Sequence, residues 1–275
     1  MKVICLIENS PGHPGCLYEH GLSVYMETAR HRILADTGAS ARILENAALL
    51  GVNLSAVDTV FLSHGHYDHA GGVPAFAKRN PRAAIYMQRS AAIPCFALEE
   101  SGEKYIGIDR SILDLPQLHL LEGSAEIDGE LSVLADFPGR RFWSRSNLSL
   151  KRRIGAELVQ DSFDHEQALV VRQADWYLLF SGCAHNGILN ILDRFREKYG
   201  RDPDAVISGF HFMKSEPYTP EETAVIEATA KELSRMRTVF YTGHCTSLPA
   251  YDLMKPVMGE QLQALSSGAV LMRGS

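Results

Sequence analysis

The segment His64-Gly65-His66-Tyr67-Asp68-His69 packs three imidazoles and a carboxylate into six residues. Imidazole nitrogen and carboxylate oxygen are donors that a zinc ion accepts at ~2.0–2.2 Å, and a loop can turn adjacent side chains in different directions, toward two metals rather than one. Gly65 and the pair Gly71-Gly72 would supply the backbone freedom for that turn. Solvated histidines clustered by chance are the ordinary alternative. That alternative fits poorly with a cluster placed directly after the apolar run Thr59-Val60-Phe61-Leu62. The chemistry expected is that of one or two divalent metal ions, zinc first, with manganese or iron(II) compatible with the same donors.

Other residues carry weaker local signals. Asp36, between an apolar run and Thr37-Gly38, reads either as a turn or helix cap or as an acceptor that orients a ligand histidine through its far ring nitrogen. His211, in Ser208-Gly209-Phe210-His211-Phe212, is a spare ligand, an acid or a substrate donor, against the bland reading of a satisfied histidine between two phenylalanines. His165 is weaker, and His13, His31 and His119 read as surface or structural. Arg140, Arg141, Arg145, Lys151, Arg152 and Arg153 concentrate positive charge. They are either a solvated loop or a site for a phosphorylated substrate, which arginine grips with two parallel hydrogen bonds. Arg140, Arg141 and Arg145 are the substrate-binding candidates, with Ser146, Asn147 and Ser149 as neutral donors beside them.

The elements that must position these groups follow from periodicity. Lys2 to Ile7, Leu22 to Glu27 and His31 to Ala35 read as strands of a meander. After Asp36-Thr37-Gly38, the spacing of Ile43, Leu44, Ala47 and Leu50 is helical, with Gly51 as stop. Thr59 to Leu62 is a buried strand that delivers the chain into Ser63-His64. A short helix is expected at Pro74 to Arg79 and a strand at Ala83 to Met87. The stretch from about 88 to 164 is irregular, with strand-like pieces at Gln117 to Leu121 and Leu131 to Ala135, and reads as inserted, substrate-shaping hairpins and loops. Paired strands Ala168 to Arg172 and Trp176 to Phe180 follow, then a helix from about Gly187 to Tyr199. The rest alternates: strand Ala205 to Ser208, a helix capped by Thr219-Pro220-Glu221-Glu222, strand Thr238 to Tyr241, a helix near Leu253 to Leu265 and a strand Ala269 to Met272. Two groups of strands, each followed by helices, suggest an α/β fold, a four-layer αββα sandwich, although periodicity equally allows a doubly wound sheet.

The bulk numbers exclude several classes. A chain of 275 residues with 45% apolar content fills one sizeable core, so one domain over residues 1–275 is expected. A net charge of −6 without a basic tail argues against a nucleic-acid partner. The five cysteines lack any CxxC pair, which fits neither a disulfide framework nor a cysteine zinc ribbon and favours a reducing, cytoplasmic setting. The N-terminal run is too short and acidic for a signal peptide, and nothing approaches the ~18 apolar residues of a membrane span.

Ser63-His64-Gly65-His66-Tyr67-Asp68-His69-Ala70-Gly71-Gly72 resembles the signature loop of metallo-β-lactamase superfamily hydrolases. The resemblance extends through Glu19-His20-Gly21-Leu22-Ser23, Ala35-Asp36-Thr37-Gly38, Ser181-Gly182-Cys183-Ala184-His185 and Gly243-His244-Cys245-Thr246. Together these are similar to the branch labelled 7,8-dihydropterin-6-yl-methyl-4-(β-D-ribofuranosyl)aminobenzene 5′-phosphate synthases. The resemblance implies the metallo-β-lactamase sandwich, with His64, His66 and His185 on one metal and Asp68, His69 and His244 on a second. It also implies an active-site place for His20. Where many members carry a bridging aspartate, this chain has Cys183. The reading taken first leaves the bridge to water with His185 as ligand, and Cys183 ligation is the alternative.

The activity expected is hydrolysis of a phosphate ester or phosphodiester by metal-bound hydroxide, with Asp68, His20 and His211 as catalytic groups. The alternative in the same class is the synthase reaction, a condensation with loss of diphosphate. An alternative of another class is a diiron redox protein on the same scaffold. The partner expected is a small phosphorylated substrate, with no nucleic acid and no membrane.

Overall fold

The computed structural model describes residues 1–272. The described residues form two compact units, one of residues 1–122, 151–160 and 265–272, the other of 123–150 and 161–264.

The first unit is built on a seven-stranded sheet in the order Val270–Met272, Lys2–Ile7, Ser23–Glu27, Arg32–Ala35, Thr59–Phe61, Ala84–Gln88, Leu118–Leu121. Pairing is antiparallel up to Arg32–Ala35 and parallel beyond it. Parallel neighbours need crossovers, supplied by helices Arg42–Leu49 and Val73–Arg79. Ile43, Ala47 and Phe76 from these helices pack with Leu6, Leu34, Val60 and Ile85 from the sheet. Thr59–Phe61, central and wholly buried, ends where the histidine loop begins. A smaller sheet orders Glu157–Gln160, Leu150–Ile154, Cys95–Glu99 and Gly102–Tyr105.

The second unit repeats the plan with Leu262–Ala264, Val239–Thr242, Ala205–Ile207, Trp176–Phe180, Ala168–Gln173, Leu131–Leu134 and Ala125–Glu126 in spatial order. The first four run parallel and the remainder antiparallel. Helices Ile188–Tyr199, Pro220–Leu233 and Leu248–Met258 make the crossovers. Ile191, Phe195, Ile226 and Met254 pack with Leu179, Val206 and Phe240. Thr219 and Glu222 form the expected reciprocal cap of Pro220–Leu233.

The α/β class is the one expected, and two local readings change. The last helix runs Leu248–Met258 rather than toward Leu265, because Gly259, at φ 55°, ends it in a backbone conformation that glycine adopts freely. Leu262–Ala264 is instead a strand beside Val239–Thr242. The stretch 88–164 is more regular than its composition suggests. It supplies Leu118–Leu121 to the first sheet, Leu131–Leu134 to the second, and the strands of the small sheet. No helix among the described residues is long and apolar enough to cross a membrane.

Candidate functional site

In the first unit, the backbone of strand Arg32–Ala35 turns at Asp36, which sits at φ 54° with its carboxylate fully buried. Ala35 is in register with Phe61, so Asp36 lies beside the start of the histidine loop. Its Oδ1 accepts from Ser63 N at 2.7 Å, and its Oδ2 accepts from Ser63 Oγ at 2.7 Å and meets His69 Nδ1 at 2.6 Å. An ionised carboxylate only accepts, which fixes the protons around it. His69 donates through Nδ1, and Ser63 spends its hydroxyl proton on Asp36. His64 Nδ1, 2.9 Å from Ser63 Oγ, must then donate to that oxygen. Both imidazoles then carry an unprotonated Nε2, the state a divalent cation requires of a histidine ligand.

The four expected ligands on this loop are all buried. The rings of His64 and His66 lie 4.6 Å apart edge-on, and those of His64 and His69 lie 4.1 Å apart. Asp68 Oδ2 is 3.7 Å from His69 Nε2 and 3.3 Å from His20 Nε2. His20 Nδ1 faces the Asn9 amide nitrogen at 3.2 Å, a donor, so the His20 proton sits on Nε2 and points to Asp68. Donors of this kind, dried and pre-oriented, fit a divalent metal. The glycines serve a different end from the one expected. Gly71 has an ordinary helical φ of −65°, but a Cβ there would stand 2.2 Å from the Ala39 carbonyl oxygen. What the loop needs from it is close approach rather than conformational freedom.

In the second unit, three adjacent parallel strands, Trp176–Phe180, Ala205–Ile207 and Val239–Thr242, release their C-terminal ends into loops that carry Cys183 with His185, then His211, then His244 with Cys245. The carboxyl ends of parallel strands are where open α/β sheets bind ligands. Ala184, His211 and His244 adopt φ of 52°, 52° and 50°, left-handed values that cost energy in non-glycine residues and concentrate at functional sites.

His185 is held on every side. Its backbone N donates to Glu166 Oε1 at 2.6 Å, and its ring stacks on Phe163 at 4.5 Å. Asn147 Nδ2 donates to the His185 carbonyl, so Asn147 Oδ1, 2.9 Å from His185 Nδ1, is the acceptor. His185 therefore shares the tautomer of His64 and His69, with Nε2 unprotonated. Glu166 also accepts from Asn186, and burial raises its carboxyl pKa despite those bonds.

Cys183 Sγ, Cys245 Sγ and a His211 ring nitrogen lie within 4.8 Å of one another. Burial works to raise the Cys245 thiol, but hydrogen bonds with Cys183 and His211 and the charges of His244 and His211 outweigh it, and the net direction is well down. His211 Nδ1 is buried with no hydrogen-bond partner among the described residues. Its ring lies 4.0 Å from that of His185.

The arginines divide. Arg140 is spent on the carbonyls of Phe137, Gly139 and Ser162 and on Asn186, and Arg141 on Asp193 and Glu232. Both tie the protein to itself through these bonds, while their side chains stay exposed. Arg145 has no such partner among the described residues. Asn147 is also reassigned, from neutral substrate donor to the buried clamp on His185. Sequence reasoning passed over Glu166 and Cys245 and gave His165 little weight, although His165 is buried with Nε2 3.1 Å from Asp161 Oδ2. The spacing Asp161-x-x-x-His165-Glu166, set before an apolar strand, was the available signal.

Residues 19–141 match the family model described as the Metallo-beta-lactamase superfamily. Over 98% of its length the chain is 27% identical to 96% of a Methanocaldococcus jannaschii protein named 7,8-dihydropterin-6-methyl-4-(beta-D-ribofuranosyl)-aminobenzene-5'-phosphate synthase. A solved structure, Tm1679, described as a metal-dependent hydrolase of the beta-lactamase superfamily, is similar over 100% of both chains with 28% identity and a TM-score of 0.83. The metallo-beta-lactamase fold protein YhfI from Bacillus subtilis shares the fold, with a TM-score of 0.58 and 14% identity over 98% of this chain and 97% of that one.

Proposed function

The chain belongs to the metallo-β-lactamase superfamily, and from that premise we propose that it is a metal-dependent synthase. It joins a dihydropterin-6-ylmethyl diphosphate to a 4-(β-D-ribofuranosyl)aminobenzene 5′-phosphate. The observation that carries this reading is the likeness, over nearly the whole of both chains, to a protein with that synthase name. It replaces the hydrolysis of a phosphate ester or phosphodiester expected from the sequence, since the relative matched end to end is named for bond formation and not for water attack.

In the reaction, a C–N bond forms between the pterin methylene carbon and the aryl amine nitrogen. The C–O bond to diphosphate breaks, the diphosphate leaves with the electron pair, and the amine loses a proton. We take His64, His66, Asp68 and His69 of the first unit, and His185 and His244 of the second, as ligands for divalent ions, zinc being the first choice for imidazole and carboxylate. Once bound, such ions supply Lewis acidity that takes up charge on the departing diphosphate. Asp36, Ser63 and Asn147 keep His69, His64 and His185 in the Nδ1–H tautomer. His211 Nδ1, buried and without a partner among the described residues, is the atom that receives the amine proton. His20 holds Asp68 in place through Nε2–H.

The test is incubation of the purified chain with both substrates, followed by mass spectrometry. The expected result is the coupled product with an equal amount of diphosphate, abolished by a chelator and restored by zinc. Absence of coupled product from metal-replete protein would overturn the reading.

A further inference from the structure

The second unit contains a pocket of about 200 Å³ whose walls are mostly apolar, formed by Trp143, Phe212, Tyr218, Val225 and Ile226. Phe212 follows His211 in the chain. Ser146, also on the wall, donates through Oγ to the His211 carbonyl at 2.7 Å. The pocket wall therefore adjoins the loop that carries His211.

The polar groups on these walls fall into two sets. Lys214 is neutralised by Glu222 at 2.8 Å, and Glu222 is itself engaged in the helix cap. The side chains of Arg145 and Glu221 have no hydrogen bond or ion pair among the described residues. The unengaged set is thus one donor, a guanidinium suited to phosphate, and one carboxylate suited to a hydroxyl.

We propose that this pocket takes the aryl ring of the ribofuranosylaminobenzene 5′-phosphate, with the phosphate on Arg145 and a sugar hydroxyl on Glu221. The proposal rests on the function argued above and assigns one of its two substrates to a place. A dihydropterin ring is the poorer occupant. Its amino-pyrimidinone edge carries several donors and acceptors, which mostly apolar walls would leave unsatisfied.

Binding of 4-(β-D-ribofuranosyl)aminobenzene 5′-phosphate and of its dephosphorylated form to the full chain is measured by calorimetry. Arg145→Gln, at an exposed position, is expected to weaken the phosphorylated ligand by ~10-fold or more and to leave the dephosphorylated one unchanged. Val225→Trp, which fills the pocket, is expected to abolish binding of both. Unaltered affinity of the phosphorylated ligand in either variant would overturn the assignment, as would loss of dihydropterin binding alone in Val225→Trp. The two levels separate cleanly. Arg145-dependent binding without any coupled product leaves the pocket standing and removes the synthase reading. Coupled product formed with an unchanged KM for the aryl substrate in both variants does the reverse.

Discussion

Asp36→Asn isolates the carboxylate that sets the histidine protons. Asp36 accepts from Ser63 N, Ser63 Oγ and His69 Nδ1, all at 2.6–2.7 Å. An amide there keeps one oxygen, which can still serve Ser63 N, but puts an NH2 group where Oδ2 was. His69 Nδ1–H then faces a donor. The ring escapes that clash by moving its proton to Nε2, which removes the lone pair a metal needs. Both bonds to Oδ2 are disrupted, but Ser63 can turn its hydroxyl to accept from the new NH2 group, so the net loss is about one buried charge-assisted bond, worth ~1.5–3 kcal/mol, and partners of this kind typically govern metal affinity by ~10–100-fold. The backbone does not confound the test, because asparagine tolerates the φ of 54° at this position. Competition against a chromophoric chelator reads the affinity, and urea unfolding reads the stability. The expected outcome is a folded protein, ~2 kcal/mol less stable, with weakened metal binding. A folded Asp36→Asn variant that holds metal as tightly as the unchanged protein would refute the tautomer argument.

Asn147→Ala removes the acceptor behind His185 and should lower metal affinity by ~10-fold or more, read by the same competition assay. Gly71→Ala forces a methyl to within 2.2 Å of the Ala39 carbonyl oxygen, and an overpacked site of this kind should cost ~1–3 kcal/mol in urea unfolding. The hydrogen bonds of Glu222 with Lys214 and Thr219 hold its carboxyl below the usual range. A depressed folded-state pKa means that its stabilisation is present above the unfolded value and lost as pH falls through the folded one. Denaturation across the acid range should show a fall that Glu222→Gln flattens.

The legible part of this chain is the part whose signal is local. Ser63 to Gly72 announces itself because strand, ligands and glycines are consecutive, and Thr219-Pro220-Glu221-Glu222 because a helix cap is a four-residue event. Asn147 and Glu166 were hidden for the opposite reason. Each reaches His185 across 38 and 19 residues of chain, and nothing in the neighbourhood of either residue encodes that contact. Leu262–Ala264 misread as helix because three apolar-periodic residues carry too little pattern to override the helix before them, and only Gly259 marks the break. Gly71 and Gly72 were correctly seen as required, but the reason, backbone packed against backbone, belongs to tertiary structure. The arginine cluster shows the same limit. Its charge was visible, while the commitment of Arg140 and Arg141 to internal partners and the freedom of Arg145 were not.

The most direct measurement is diphosphate release from dihydropterin-6-ylmethyl diphosphate by zinc-loaded protein, with and without the aryl amine. Release that depends on the amine, in step with coupled product, is the predicted result. Release at the same rate from water alone would contradict the central claim.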